Sequence, residues 1–406
     1  MKSSVLITGL LSLIVASQAE MLRLQLHHVG ENPIIDAFHS LTSVSNFDAS
    51  QVPFSRQQQL QQKGFRGSIP MRGYYRQIAV IELGNPPQSF RAALDLASSN
   101  TYVVSSQCIQ ATCINNRKYN ASASSTNHRD GRTFSIPGTT NGIISQDTLY
   151  IAGAEVPHQE FGEAFSFYAF APGFLGFDAS LGLAYDGDKR DGNSVTGRIS
   201  VVRNFLANRQ IGQPVFTLYL GSSRPNAPSG ELTIGGLEHR RFSGAFSWHG
   251  VVKRGQWIVS VKGAAFKHGD RVSRIDFNRI EAPTLVDPDY SLILLANQPA
   301  YYVNERLGAY SESKKEQYRR RCEGIEELTP VAVWIDRSYY WFTPQEAFIR
   351  AADGVTCISI FQEISFVSDE ERHGRGYEAI LGAVFLKKYY SAYDYGSHRV
   401  GFALAT

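Results

Sequence analysis

Apolar and polar residues alternate along much of the chain, which is the pattern of a β-strand with one buried face. Segments 142–151, 216–220 and 257–261 have β character, and the alternation is clearest at residues 21–26 and 77–83. A Gly-Asn-Pro-Pro turn at 84–87 joins residues 77–83 to a strand that runs into Asp95. Only a few spans favour helix, notably residues 199–209 and 300–307. Together with 35 glycines and 20 tyrosines, the pattern predicts an all-β, mainly β fold with short turns.

Two apolar runs each end in an acid. Asp95 closes the first run and is followed by Ser98, and Asp287 closes the second and is followed by Ser291. Leu-Gly pairs at 181–182 and 381–382 lie 87 and 95 residues beyond the respective acids, counted to the glycine. This correspondence indicates one lobe used twice. Because a buried carboxylate is costly unless it is paired or used, we expect each lobe to bring one carboxylate to a shared cleft.

Length and charge narrow the range of partners. A chain of 406 residues can bury a large core and form two domains. The formal charge is only +3, and lysine and arginine are scattered except at 314–315 and 319–321, so no nucleic-acid partner is expected. We interpret the arginine run as a solvated helix face rather than an anion-binding patch. No phosphate loop, nucleophile elbow or zinc motif is found, so no cofactor and no metal are expected.

The N-terminus has the pattern of a secretory signal peptide over residues 1–19. Lys2 precedes an apolar core at 5–16 and small residues at 17 and 19, and this core is too short for a membrane span. With no second long apolar segment, the protein is expected to be secreted or extracellular, with a lysosomal or other endomembrane lumen as the alternative. Residues 20–66 suit a prosegment with a polar, accessible end at 56–64, or else a flexible linker.

Four cysteines in an oxidising compartment favour disulfides over zinc. Cys108 and Cys113 can close a small loop, which leaves Cys322 and Cys357 as the natural second pair, although other pairings stay open. Asn120 begins an Asn-Ala-Ser sequon in a polar stretch, so it is a candidate glycosylation site.

From Tyr74 to Ala405 the chain resembles the pepsin-like aspartic proteases. The resemblance rests on ordered segments: the hairpin at 74–90, the two acid loops, the cysteine loop at 108–113, and the segments at 177–185, 230–236, 380–382 and 400–403. It implies a bilobal fold of two related six-stranded-barrel-type lobes, at 67–240 and 241–406, with a cleft that holds a peptide or protein. It also implies that Asp95 and Asp287 share one proton and hydrolyse peptides through a bound water. A monomer is expected.

The acid loops depart from the family pattern, which has threonine and glycine after each aspartate. Here Leu96 and Ala97 follow the first, and Pro288 and Asp289 follow the second. Leucine and proline have no hydroxyl, so the hydrogen bonds that normally join the two threonines cannot form. Of the supporting small polar residues, Ser98 and Ser291 remain. The departures predict poorer support for the two carboxylates.

The flap also departs from the family pattern. In the family a hairpin with a tyrosine closes over the cleft, and Ser135 stands at that position here, while Gly138 and Gly142 favour the hairpin itself. Loss of the aromatic lid predicts weaker exclusion of water. The sequence therefore predicts a secreted aspartic endopeptidase homologue whose activity is weak or lost. The alternatives are a non-catalytic protein that binds peptides in the same cleft and a secreted surface protein without a cleft function.

Overall fold

The computed structural model of the chain describes residues 21–29, 76–136, 139–167, 177–184, 200–221, 230–253, 255–277, 282–312, 316–351, 353–367 and 376–406. The predicted signal peptide, most of the predicted prosegment, and Gly138 lie outside these residues. Within them the chain is mostly β, as the alternating pattern predicts. No helix in this part of the chain is long and apolar enough to cross a membrane.

Backbone hydrogen bonds arrange the strands of the described residues in three sheets. The largest sheet contains β1 (Leu22–Val29), β2 (Arg76–Leu83), β3 (Gln88–Asp95), β4 (Tyr102–Val104), β5 (His128–Ile136), β6 (Thr140–Ile151), β7 (Ala154–Phe167), β8 (Ala179–Gly182), β9 (Val215–Tyr219), β10 (Gly230–Ile234), β11 (Phe242–Gly250), β23 (Tyr389–Asp394) and β24 (Arg399–Ala405). The second contains β12 (Ile258–His268), β13 (Arg271–Asp276), β14 (Ala282–Val286), β15 (Ile293–Leu295), β17 (Val331–Ile335), β18 (Ser338–Phe342), β21 (Phe361–Glu363) and β22 (Ala379–Leu381). The third contains β16 (Arg319–Arg321), β19 (Phe348–Arg350) and β20 (Thr356–Ser359).

Six strands of the largest sheet close into a barrel. They follow the order β2-β3-β8-β4-β7-β6, and β6 pairs back to β2. Along β2 the side chains of Ala79, Ile81 and Leu83 are buried, while Val80 and Glu82 between them are not. This alternation is the period-two pattern of a strand whose one face lines a core. The first lobe is therefore a six-stranded barrel, as the family resemblance implies.

The second sheet repeats the central order of this barrel. The strands β3-β8-β4-β7 correspond to β14-β22-β15-β21. In both lobes the strand that leads to the acid pairs in parallel with the strand that leads to the repeated glycine. The next neighbour is antiparallel in both lobes, and the one after it is parallel in both. The prediction of two related lobes is confirmed.

Strands from both ends of the chain join the lobes. Strand β1 lies between β10 and β2, and β23 lies beside β9, so the first barrel shares its sheet with the C-terminal strands. Leu22, Leu24 and Leu26 of β1 are buried, and Arg23 forms an ion pair with Glu238. The strand predicted at residues 21–26 is confirmed, and it lies in the interior of the sheet.

In the part of the chain that the structure describes, three short α-helices pack against the sheets. Helix α1 (Val201–Ala207), which Ser200 caps through its side-chain oxygen, lies within the predicted span 199–209. Helix α2 (Asn297–Arg306) overlaps the predicted span 300–307 and begins three residues before it. The third, α3 (Ala383–Lys388), begins directly after Gly382 and is not predicted from the sequence. Its apolar residues continue into a tyrosine pair, which locally favours a strand. Burial of Phe385 and Leu386 selects the helix instead.

The predicted pairing of the four cysteines is confirmed. Both disulfides are present, Cys108–Cys113 and Cys322–Cys357.

The helix interpretation of the arginine run is wrong, because Arg319–Arg321 forms β16 and pairs with β20. The reason is tertiary: β20 contains Cys357, and its disulfide to Cys322 ties the two segments together. Lys314 and Lys315 lie outside the described residues.

Candidate active site

The first acid loop begins where β3 ends. Asp95 pairs in parallel with Gly182 of β8, and its backbone carbonyl accepts a hydrogen bond of 2.8 Å from the Leu183 amide. The half-buried Asp95 side chain accepts two more at Oδ1, from the backbone amides of Ala97 at 3.0 Å and Ser98 at 2.9 Å. Backbone donors thus hold the Asp95 carboxylate in place without any side-chain hydroxyl.

The second acid loop begins where β14 ends. The Asp287 amide donates to the Leu381 carbonyl at 3.1 Å, and Oδ1 of Asp287 accepts from the Asp289 amide at 3.0 Å. The Tyr290 amide lies 3.4 Å from the Asp287 carbonyl, which closes a four-residue turn with Pro288 in its second position. Proline favours that position because its ring presets the backbone angle φ. Asp287 itself is only 3% exposed.

The repeated glycines explain why both loops have the same form. A Cβ atom at Gly182 would collide with the Ser99 backbone, and one at Gly382 would collide with the carbonyls of Tyr290 and Leu292. Each glycine therefore lets the loop after an acid cross directly over the neighbouring strand. In both lobes the repeated glycine is thus a close backbone contact of the loop that follows the acid.

The structure refines the prediction about the departures in the acid loops. Pro288 has no amide hydrogen, but the amide that binds Asp287 belongs to Asp289, so the carboxylate contact survives. Leu96 is fully buried and belongs to the main hydrophobic core, and Pro288 is also buried. Apolar side chains therefore occupy both positions where the family has threonine hydroxyls.

The remaining residues of the two loops follow their acid by two to four positions in the sequence. Ser98 Oγ accepts from the backbone and side-chain nitrogens of Asn100 at 3.1 and 2.9 Å. The Ser98 carbonyl accepts from the Ala184 amide, and the Ser291 carbonyl accepts from the Val384 amide in the equivalent place. Ala97 is half-buried, and Asp289, at 8% exposed, is a second buried acid beside Asp287.

Side chains from the second half of the chain reach the first acid loop. Trp257 Nε1 donates to the Leu183 carbonyl at 2.8 Å, and the Tyr395 hydroxyl contacts the same carbonyl at 2.9 Å. Gln256 Nε2 lies 3.4 Å from the Ala97 carbonyl. Sequence reasoning assigned Trp257 a packing role and missed Gln256 and Tyr395, because nothing in their local sequence marks a contact about 150 to 210 residues away.

The predicted flap hairpin is formed by β5 and β6. Ser135 is exposed and pairs with Asn141, while its neighbour Phe134 is buried in a small cluster with Tyr102 and Phe167. Phe134 is therefore not available as an aromatic lid. Ser135 presents only a hydroxyl at the position from which a lid side chain is expected.

The predicted glycosylation site, Asn120, comes directly before the short 3₁₀ helix Ala121–Ala123. Asn120 is exposed, and its side chain accepts a hydrogen bond from the Ser122 amide. Among the described residues, no group of three or more histidine, cysteine, aspartate or glutamate side chains is arranged to hold a metal ion.

An ion pair joins β3, the strand that leads to the first acid loop, to the residue before β8. Arg91 holds both carboxylate oxygens of the buried Asp178 at 3.0 Å, and the Arg117 amide donates to Oδ1 at 3.0 Å. Burial alone would raise the pKa of Asp178, but the hydrogen bonds from Arg91 and Arg117 outweigh it, so this pKa lies below its ordinary value. The carboxylate therefore stays charged into acid solution.

We expect Asp178→Asn to lower the free energy of unfolding at pH 7 by about 2 to 3 kcal/mol, since it breaks a buried pair whose arginine is partly exposed. A lowered folded-state pKa contributes stability above the unfolded value of about 4, and this contribution disappears as the pH falls towards the folded value. The deficit should therefore narrow between about pH 4 and 2. Urea unfolding at each pH measures it, with the exposed Asp130→Asn as control. A deficit independent of pH would contradict the assignment.

Comparison with known proteins agrees with this geometry. The model of the family described as eukaryotic aspartyl protease matches residues 74–405. A vacuolar aspartic protease of Candida albicans is 32% identical over 347 residues, which cover 84% of this chain and 78% of that protein. Vacuolar protease A of Aspergillus fumigatus is 32% identical over 328 residues, covering 80% and 78%, and cathepsin E-B of Xenopus laevis is 31% identical over 331 residues, also covering 80% and 78%. The chain therefore belongs to the eukaryotic aspartyl protease family, whose members are pepsin-like.

Proposed function

We propose that the protein is a slow aspartic endopeptidase in which Asp95 and Asp287 hydrolyse a peptide bond held between the lobes. One carboxylate takes a proton from a bound water as its oxygen attacks the scissile carbonyl carbon. The other gives its proton to the carbonyl oxygen. The C–N bond then breaks as a proton moves to the leaving amine. The two carboxylates titrate as a coupled pair, so the shared proton is not assigned to either acid alone.

The observation that carries this proposal is the equivalence of the two acid loops. Each acid follows a strand paired in parallel with the strand before a repeated glycine, and each has Oδ1 bound by the backbone amide two residues later. Such fixed donors orient a carboxylate at little cost during the reaction. A protein that only binds peptides does not require two matched, preoriented acids.

The same residues argue for a low rate. Apolar side chains replace both threonine hydroxyls, and a serine replaces the flap aromatic. Asp289 adds a third carboxylate, and like charges disfavour ionisation of their neighbours. Positioning errors of about 1 Å can cost about 100-fold in rate. These features also favour a second candidate function, retention of peptides in the cleft without cleavage.

We further propose the route by which the protein reaches its place of action. Residues 1–19 would direct it into the secretory pathway, and a protease would then cut near residues 63–66 to separate the prosegment 20–66 from the two lobes. Two relatives with vacuolar names support a lumenal or extracellular location.

A peptide library incubated with the processed protein tests the proposal. We expect slow internal cleavage with a maximum at acid pH within the range of about 3 to 7, because the reactive dyad shares one proton. Asp95→Asn should remove this cleavage. Absence of cleavage together with binding of a statine-type inhibitor would instead support the peptide-binding function. Cleavage that survives Asp95→Asn would refute the assignment of the dyad.

A further inference from the structure

We infer that Trp257 and Tyr395 are positioning residues that hold the two acid loops in register across the lobes. With Gln256 they form a set that we call the interlobe clamp. This inference rests on the proposed hydrolysis for its kinetic test, but its structural part can be measured separately.

The clamp consists of four side-chain contacts that point the same way. Trp257 Nε1 donates to the Leu183 carbonyl at 2.8 Å, and the Tyr395 hydroxyl lies 2.9 Å from that carbonyl and 3.1 Å from the Ala184 carbonyl. Gln256 Nε2 lies 3.4 Å from the Ala97 carbonyl. Each contact runs from the second half of the chain to a backbone oxygen in or beside the first acid loop.

Short backbone links connect the clamp to both acids. On one side, the Leu183 amide donates to the carbonyl of Asp95 at 2.8 Å. On the other side, the Trp257 carbonyl accepts from the amide of Val286 at 3.0 Å, and Val286 is the residue before Asp287. Leu183 and Trp257 therefore form a continuous hydrogen-bonded path between the two acid loops. A shift of one lobe against the other would have to break it.

Aromatic packing holds the indole of Trp257 in one orientation. Trp257 is fully buried, and its ring meets the rings of Tyr395 at 5.0 Å, Tyr393 at 5.3 Å and Phe216 at 5.8 Å between centroids, each in an edge-to-face arrangement. Phe216 and Tyr393 are themselves stacked at 4.5 Å. A side chain enclosed on several sides keeps its rotamer, so its donor stays aimed at the carbonyl.

The clamp links two acid loops that have no threonine hydroxyls to join them. Leu96 and Pro288 remove the hydroxyls that could join the loops directly, and the clamp joins them indirectly through backbone carbonyls. A carbonyl has two lone pairs, so Leu183 can accept from the indole and the phenol together. Neither donor loses its proton in acid solution, so the clamp persists at the pH at which a shared-proton dyad works.

The test compares Trp257→Phe, Tyr395→Phe and their combination with Tyr393→Phe. The control removes a hydroxyl from the same aromatic cluster, and this hydroxyl takes no part in the four contacts of the clamp. We expect the double variant to lower kcat about 10- to 100-fold with KM changed less than about threefold, because the hydrogen bonds that it loses act on geometry and not on substrate contact. Tyr393→Phe should keep both constants.

Hydrogen exchange supplies a readout that does not depend on activity. The amides of Leu183 and Ala184 donate to the carbonyls of Asp95 and Ser98, so their exchange reports on the first acid loop. We expect at least tenfold faster exchange in the double variant and no change in Tyr393→Phe. Unchanged exchange and unchanged kcat would overturn the clamp. A wild-type protein without hydrolysis would refute the proposed function, while the exchange data would still decide the clamp. Tyr395→Phe removes one oxygen only, so it keeps the test valid if Trp257→Phe fails to fold.

Discussion

The Asp287→Asn variant is expected to lose peptide hydrolysis, while Asp289→Asn, two residues away, is expected to keep it. An amide cannot donate or accept the proton that the reaction requires, so kcat should fall about 100- to 10,000-fold. The two substitutions are well matched, because both replace a buried carboxylate by an amide of the same shape. Asp289→Asn also retains the backbone amide that donates to Asp287 Oδ1.

Single-turnover hydrolysis of a peptide identified in the library measures both variants. Asp289→Asn removes one negative charge next to the dyad, so its pH profile should shift while its activity remains. Equal loss in both variants would show that the second loop, and not the Asp287 carboxyl group, carries the effect. Full activity in Asp287→Asn would remove this residue from the mechanism.

Restoring the family pattern in both acid loops is expected to raise kcat about 10- to 100-fold. The combined variant is Leu96→Thr, Ala97→Gly, Pro288→Thr and Asp289→Gly. New hydroxyls can then join the loops, and the glycines give the substrate backbone room beside the acids. The loops must be changed together, because Leu96 is fully buried and a lone hydroxyl in its place would lack a partner.

A matched control uses valine in place of threonine at both positions, with the same two glycine changes. Valine has the shape of threonine without the hydroxyl, so it separates hydrogen bonding from shape. We expect the gain with threonine and not with valine, measured as kcat on one peptide at its optimum pH. Equal rates in the two variants would place the defect elsewhere, and Ser135→Tyr in the flap would be the next change to make.

These outcomes bear on how the two lobes cooperate. If threonine restores the rate, the clamp of Trp257 and Tyr395 maintains register without supplying the hydrogen bonds that the threonines make. The sheet that contains both β1 and the C-terminal strands provides a further link between the halves. Processing within the predicted prosegment would therefore act on a chain whose β1 is paired on both sides.

Much of the fold could be predicted from the sequence because it depends on local periodicity. The predicted strands at 77–83 and 142–151 are present in the structure, and in the first of them burial alternates from Ala79 to Leu83. The short helix α3 and the strand β16 could not be predicted in this way. Burial of Phe385 and the disulfide of Cys322 with Cys357 decide those segments, and both depend on residues distant in the chain.

By itself, the sequence determined the two acids, their repeated glycines, the pairing of the lobes and the residues that depart from the family pattern. These features follow from the spacing of residues along the chain and from the chemistry of their side chains. Only the tertiary structure decided that backbone amides still bind both carboxylates, that Leu96 is buried in the core, and that Trp257 and Tyr395 reach the first loop from the other half. Such contacts join residues far apart in the chain, so their geometry is set by how the strands pair and pack and not by any local pattern.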